Sequence, residues 1–248
     1  MKRKKNTPLL MRAVRYSLYT IAAACAVVVT ASLFPKVLSD KKHNIAKNIS
    51  LRREVWGIDL SHHQTRIDWE TVGNESPDFV FIKATEGTSH TDTRFDDNWT
   101  RLKKMNIRRG AYHFFSFKSD GTTQAQNFIA NVKLESGDLP PVLDAEFRRR
   151  MWKPEKVARE MQIWLDMVEQ HFGVIPIIYT NEPFYNKYIK GRISDRYKLW
   201  IANYKGEPSL EWTFWQHTDQ HSINGVHGSV DRNIFKDKIS DLDKLEIP

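Results

Sequence analysis

Apolar, β-branched runs recur along residues 55–233 and set narrow limits on how this chain can fold. The clearest are VWGIDLS (55–61), FVFIKAT (79–85), GAYHFFSF (110–117), PVLDAEF (141–147), VIPIIYT (174–180), KLWIANY (198–204) and WTFWQHT (212–218), with a weaker one at VHGSVDRN (226–233). Each has the length of a strand, and helical patterns separate several of them. The best helix follows Lys153. Pro154 suits the first helical position, Glu155 suits the positive end of the dipole, and Val157, Met161, Leu165, Val168 and Phe172 keep one face apolar up to Gly173. Further helical patterns cover 94–105 and 122–133, with a weaker one at 182–190. Strands alternating with helices imply a parallel sheet under helical cover, and eight strands imply closure into a barrel. No Gly-x-Gly-x-x-Gly follows any strand, so an open dinucleotide-binding sheet lacks its main signature. A (β/α)₈ barrel usually takes roughly 200 residues or more. The run from 56 to 248 falls just short, and its last three strands stand too close together for full helices between them. The expected fold class is α/β: a trimmed (β/α) TIM-like barrel of eight strands and fewer than eight helices.

Ahead of the barrel, the residues from Tyr16 to Pro35 carry no charge. At about 1.5 Å per residue, such a helix covers roughly the 30 Å hydrocarbon core of a bilayer. Lys2, Arg3, Lys4, Lys5, Arg12 and Arg15 precede it, and only Lys36, Lys41 and Lys42 follow closely. That bias keeps the N-terminus cytoplasmic and exports the remainder. The expected organisation is 1–15 basic cytoplasmic N-terminus, 16–35 transmembrane signal-anchor, 36–54 polar tether and 55–248 catalytic barrel, giving a single-pass protein of the cytoplasmic membrane with its domain outside. The alternative is secretion after signal-peptide cleavage near Ala31, where Val29-Thr30-Ala31 offers small residues.

The net charge of +8 belongs to this leader. Residues 1–55 hold 12 Lys or Arg against 2 Asp or Glu, which leaves 26 against 28 in residues 56–248. A nearly neutral body lacks the electrostatic footprint that a phosphate backbone requires, so no nucleic-acid partner is expected. The only cysteine, Cys25, lies in the leader, which excludes a disulfide scaffold, and no disulfide-linked partner is expected.

In a barrel, chemistry gathers at the C-terminal ends of the strands. Those ends supply Asp59, Glu86, Tyr112, His113, Asp144, Glu146, Tyr179, Asn181, Asn203, Gln216 and Asp231. Asp144 and Glu146 stand out. Residues two apart on a strand share a face, about 6.5–7 Å apart at the backbone. Two carboxyls in one lumen repel, so one holds its proton to higher pH, and such a pair is what glycosidic cleavage needs. The competing reading is a polar rim whose acids bind lysines. His62, His63, His113 and Asp59 could form a metal site, but adjacent His62 and His63 would face opposite ways and no His-x-x-x-His supports one. Hydrogen-bonding histidines, with no metal and no cofactor, are the expectation. Trp56, Trp69, Trp200, Trp212 and Trp215 could stack on sugars or pack the core.

These segments, taken in order, resemble the lysozymes of glycoside hydrolase family 25, the Chalaropsis-type N-acetylmuramidases. The resemblance is carried by Gly57-Ile58-Asp59-Leu60-Ser61 with Gln64, by Phe81-Ile82-Lys83-Ala84-Thr85-Glu86-Gly87 with Asp92, and by Gly110-Ala111-Tyr112-His113-Phe114. Leu143-Asp144-Ala145-Glu146, Ile178-Tyr179-Thr180, Leu199-Trp200-Ile201-Ala202, Phe214-Trp215-Gln216 and Val230-Asp231-Arg232-Asn233 complete it. It implies a flattened barrel and hydrolysis of the β-1,4 bond between N-acetylmuramic acid and N-acetylglucosamine in peptidoglycan glycan strands. Under it, Glu146 donates the proton and Asp144 stabilises developing positive charge or orients the substrate's 2-acetamido group. Asp59 and Asp231 complete the catalytic acids. Glu86, Tyr112, His113, Tyr179, Trp200 and Gln216 are expected to bind substrate, and Asp138, outside the site, is expected to be silent to substitution. Thr65 and His90 depart from the family pattern beside the groove. No wall-binding repeats follow Pro248, so targeting is expected to fall to the leader. The alternatives are a catalytically inactive envelope glycan-binding module and a chitinase-like glycosidase; the second usually carries another inward Asp where this chain has Val142.

Overall fold

Along Phe79–Glu86, the side chains of Phe79 and Phe81 enter one buried cluster while those of Val80, Ile82 and Ala84 enter another. A strand covered on both faces is what a barrel wall requires: a lumen inside, helices outside. The computed structural model describes residues 53–248 except Thr65. The expected transmembrane segment 16–35, the cleavage site near Ala31 and nearly all of the tether therefore lie outside the described residues. No helix among the described residues is long and apolar enough to cross a membrane.

The strands are β1 (Val55–Leu60), β2 (Phe79–Glu86), β3 (His90–Thr91), β4 (Arg108–Phe114), β5 (Val142–Asp144), β6 (Ile177–Asn181), β7 (Lys198–Ala202), β8 (Phe214–His221) and β9 (Val230–Phe235). Eight of them close a barrel in the order β1-β9-β8-β7-β6-β5-β4-β2, sealed by β1 against β2, and the two-residue β3 is appended to β2. The helices among the described residues are α1 (Trp69–Glu75), α2 (Phe95–Lys104), α3 (Gly121–Asn131), α4 (Pro154–Phe172), α5 (Glu182–Phe184) and α6 (Ile239–Leu242). Helix α4 starts with Pro154 in its first turn and no side-chain cap, and ends at Gly173 with φ 71°. A π turn, Tyr185–Ile189, continues α5, and no helix separates β7, β8 and β9 among the described residues.

The expectation of a parallel sheet holds from β1 round to β8 and fails at β9, which runs antiparallel to both β8 and β1. Residues 222–229 are too few for a parallel crossover, which takes a dozen or more residues, so the chain turns back as a hairpin. Asp231 therefore lies at the start of its strand rather than at its end. A second difference concerns PVLDAEF. The strand stops at Asp144, because the Ala145 carbonyl is taken by the Thr180 hydroxyl at 2.8 Å. Glu146 stands beyond the strand, not two places along it.

Inside, Phe81 stacks on Trp200 at 4.5 Å, and Phe79 meets Phe214 at 5.1 Å. Gly57 and Gly110 make room for these rings. A Cβ on Gly57 would lie 2.3 Å from the Phe79 carbonyl oxygen, and one on Gly110 would lie 2.4 Å from the Phe81 ring.

Candidate active site

Asp59, near the end of β1, is register partner to Asp231 at the start of β9, so the antiparallel return brings the two acids to one mouth. Asp59 Oδ2 accepts hydrogen bonds from Gln216 Nε2 and Asn233 Nδ2, both at 2.9 Å. The amide orientations follow from the far side. Gln216 Oε1 accepts from the hydroxyls of Tyr179 and Tyr204 at 2.7 Å each, and Asn233 Oδ1 accepts from Trp200 Nε1 at 2.8 Å. With each carbonyl oxygen so occupied, both NH₂ groups must face Asp59. Burial, then the charge of Asp231, pushes the Asp59 carboxyl well above the ordinary range, while the two amides pull the other way. Asp231 is also raised, chiefly by burial. Two acids paired across one mouth cannot both ionise cheaply, so the carboxyls of Asp59 and Asp231 are both raised, the more buried Asp59 well above the ordinary range.

Asp144 ends β5, with neighbours Phe114 on β4 and Tyr179 on β6. It is 8% exposed, and its Oδ1 has no hydrogen-bond partner. Such an orphan is uncommon and costly in a folded protein, and active sites are one place where it persists. Burial, then the negative charge of Glu146, raises the Asp144 carboxyl well above the ordinary range, with Arg148 opposing. Glu146 is less buried than Asp144. Tyr112 is held neutral, first by burial and then by the charges of Asp59, Asp144 and Asp231.

These groups line a cavity of about 310 Å³: Asp59, Asp231, Asp144 and Glu146, with Tyr112, Tyr179, Trp200 and Gln216, and also Tyr204 and Asp219. Two expected binding residues are not among them. Glu86 caps β2 and pairs with Lys83 at 2.6 Å. His113 is fully buried outside the lumen, where its Nδ1 meets Thr85 Oγ1 at 2.7 Å, its Nε2 meets Gln124 Oε1 at 3.2 Å and its ring stacks on Trp164. Neighbours on a strand face opposite sides, so once Tyr112 takes the lumen His113 must face the helices. Burial lowers its pKa to about 4 and keeps it neutral. Trp200 reaches the cavity only as floor, being 2% exposed.

Three further residues belong to the site. Asn233 was legible as the residue two places after Asp231 on the same face. Tyr204 and Asp219 lie beyond the regular parts of their runs, where no periodicity marks them. His62 Nδ1 lies 2.8 Å from Asp92 Oδ2, and among the described residues no three His, Cys, Asp or Glu are placed to hold a metal ion.

A carboxyl pair in which one member is driven to hold a proton, set in a polar cleft walled by tyrosines, is equipped for acid-assisted cleavage of a polar bond. Comparison with known proteins gives the same class of chemistry. The family model described as Glycosyl hydrolases family 25 matches residues 58–226. The uncharacterized protein YegX of Escherichia coli (strain K12) is 38% identical over 197 residues, covering 76% of this chain and 72% of YegX. Lysozyme M1 of Streptomyces globisporus is 34% identical over 200 residues, covering 73% of this chain and 67% of the lysozyme. Among solved structures, a family 25 glycosyl hydrolase from Bacillus anthracis superposes with a TM-score of 0.75 at 37% identity, covering 79% of this chain and 95% of that one. The family model spans more than half the sequence, and YegX and lysozyme M1 are each more than 30% identical over at least 73% of it; the chain belongs to glycosyl hydrolases family 25.

Proposed function

We propose that this glycoside hydrolase cleaves the β-1,4 bond between N-acetylmuramic acid and N-acetylglucosamine in peptidoglycan. The observation that carries this reading is the meeting of Asp144 and Glu146 in one cavity with the hydrogen-bonded Asp59 and Asp231. Glu146, the more accessible acid, donates its proton to the leaving oxygen. Asp144 stabilises the positive charge that develops at the sugar, and its unpartnered Oδ1 suits it to accept the N–H of a 2-acetamido group. Asp59 and Asp231 flank the sugar, and Tyr112, Tyr179, Gln216 and Tyr204 supply polar contacts along the wall. Lysozyme M1 and the N,O-diacetylmuramidase of Chalaropsis sp, 29% identical over 204 residues, support the choice of bond.

Mass spectrometry of fragments released from purified peptidoglycan tests it. Fragments ending in a reducing N-acetylmuramic acid are expected, and reducing N-acetylglucosamine ends would overturn the assignment. Glu146→Gln keeps the shape and removes the transferable proton, so activity should fall by about 10²–10⁴-fold. A folded Glu146→Gln protein that digests at the wild-type rate would refute Glu146 as the acid. For location, the uncharged run 16–35 and the six cations before it support a barrel held outside the cytoplasmic membrane. A phosphatase fused after Asp40 should then be active only outside the cytoplasm. A mature N-terminus at Ser32 would replace the anchor by a cleaved signal.

A further inference from the structure

Past β5 the chain reads Glu146-Phe147-Arg148-Arg149-Arg150, so three consecutive arginines follow the proposed proton donor after a single residue. All three are exposed. Arg101, Arg108, Arg196 and Arg232 each hold a carboxylate within the chain. Among the described residues, no ion pair involves Arg148, Arg149 or Arg150. The root of this segment is nevertheless fixed. Phe147 packs against Phe184 at 5.3 Å and Tyr188 at 5.8 Å, and the Arg148 guanidinium lies 3.7 Å above the ring of Phe114. Phe114 closes β4 and is register partner to Asp144, so Arg148 sits at the barrel mouth beside the acids. Lys187 adds a further cation, 5.9 Å from the Phe147 ring. The near-neutrality of residues 56–248 is thus an average over an acidic cleft and a basic rim.

Arg148 is fixed with its guanidinium on the Phe114 ring, and Arg149 and Arg150 follow it as exposed cations; with no ion pair among the described residues, the three are arranged for an external anion. Guanidinium favours carboxylates, which it meets with two parallel hydrogen bonds. The cleft takes a neutral or weakly charged sugar backbone, whereas muramic acid carries on its lactyl group a peptide whose carboxylates project from the strand. We propose that Arg148, Arg149 and Arg150 form a rim that binds the carboxylates of these stem peptides, so that the enzyme prefers glycan strands with anionic stems to strands whose stems are uncharged. This inference rests on the muramidase reading above and names the part of the substrate that the cleft itself does not hold. Each exposed contact is individually weak, and salt screens all of them, so the preference is a low-salt property built from several arginines acting together.

The test uses the full chain and two substrates made from one batch of peptidoglycan freed of attached phosphate polymers: strands with free stem carboxyls, and the same strands after amidation. Release of reducing ends gives kcat and KM for each at low and moderate salt. The wild type should show a KM about tenfold lower on the charged strands at low salt, the advantage shrinking as salt rises. Arg149→Glu with Arg150→Glu should abolish that preference, and Arg149→Gln with Arg150→Gln should weaken it while keeping the surface polar. If wild type and both variants show the same ratio of KM values on the two substrates, the rim does not read stem charge and the inference fails while the muramidase reading stands. If the wild type releases muramic acid ends from neither substrate, the muramidase reading itself fails, and this one falls with it.

Discussion

Asp138→Asn, which by sequence alone falls outside the site and looks harmless, should be among the most destabilising single changes in this barrel. Asp138 lies in the loop between α3 and β5, and Arg109 lies at the start of β4, at the end of the barrel opposite the acids. Arg109 and Asp138 are 3% and 4% exposed. Arg109 Nε donates to Asp138 Oδ1 at 2.6 Å and Nη2 to Oδ2 at 3.1 Å, while the Glu135 amide donates to Oδ2 at 2.8 Å. The guanidinium also donates to the Trp99 carbonyl and lies 4.0 Å over the Trp99 ring. Burial raises the Asp138 carboxyl even against these partners, so the intact pair adds little net stability. Removing one charge is different. An amide turns its NH₂ toward a guanidinium donor and leaves the buried cation with only the half-exposed Glu135 carboxylate, 3.9 Å away, as counter-charge, which costs up to about 3–5 kcal/mol. For a domain of this size that is a fall in Tm of about 6–20 °C. Denaturant and thermal unfolding of Asp138→Asn measure it, and activity at 25 °C on the folded fraction should stay near wild type because the change lies far from the cleft. Arg109→Met with Asp138→Leu, which removes both charges, should recover most of the loss. An Asp138→Asn protein that unfolds with the wild-type midpoint would refute the reasoning.

Two further outcomes follow from buried positions. His113 is neutral in the fold with a pKa of about 4, against roughly 6.5 when unfolded, so the unfolded chain takes up the proton first as pH falls. Its contribution is complete above pH 6.5 and fades between 6.5 and 4, by up to about 3 kcal/mol, whereas the raised carboxyls of Asp59 and Asp144 oppose the loss over their own range. His113→Phe should therefore flatten the acid side of a Tm-against-pH curve; an unchanged difference between wild type and variant across pH 4–7 would contradict this. Gly110→Ala places a Cβ 2.4 Å from the Phe81 ring, which Trp200 and Phe214 hold in place, and overpacking of this kind costs about 1–3 kcal/mol in unfolding experiments.

Most of the barrel was legible because strand and helix periods are local. The apolar runs at 55–61, 79–85 and 198–204 became β1, β2 and β7, and the caps of Pro154–Phe172 were written in Pro154 and Gly173. What escaped depended on distant partners. Helix α1 is only seven residues long, and its start is set by Asp68 accepting from the Thr71 amide. The early end of β5 depends on Thr180, and the direction of β9 depends on the length of a loop. In the site, alternation along β4 is enough to turn Tyr112 to the cavity and His113 to the helices. Asn233 and Tyr204 act through Gln216 and Asp59, and that chain of contacts exists only once β7, β8, β9 and β1 are side by side.

Under the mechanism proposed above, Asp144 works ionised when substrate is bound. In the free protein, burial raises the Asp144 carboxyl well above the ordinary range, and the charge of Glu146 adds to it. The orphaned Asp144 Oδ1 supplies the means of ionising it: a substrate N–H donated to that oxygen stabilises the ionised form of Asp144 and lowers its pKa. Because the two acids interact, the limbs of the pH profile belong to the pair. The profile of kcat/KM reports the free enzyme and that of kcat the complex. The acid limb of kcat/KM should lie above the ordinary aspartate range, and the acid limb of kcat should lie at lower pH. Glu146→Gln, in its residual activity, should keep the acid limb, which burial of Asp144 alone sustains. Acid limbs of kcat and kcat/KM that coincide would show that substrate does not act on Asp144, and the orphaned oxygen would then need another explanation.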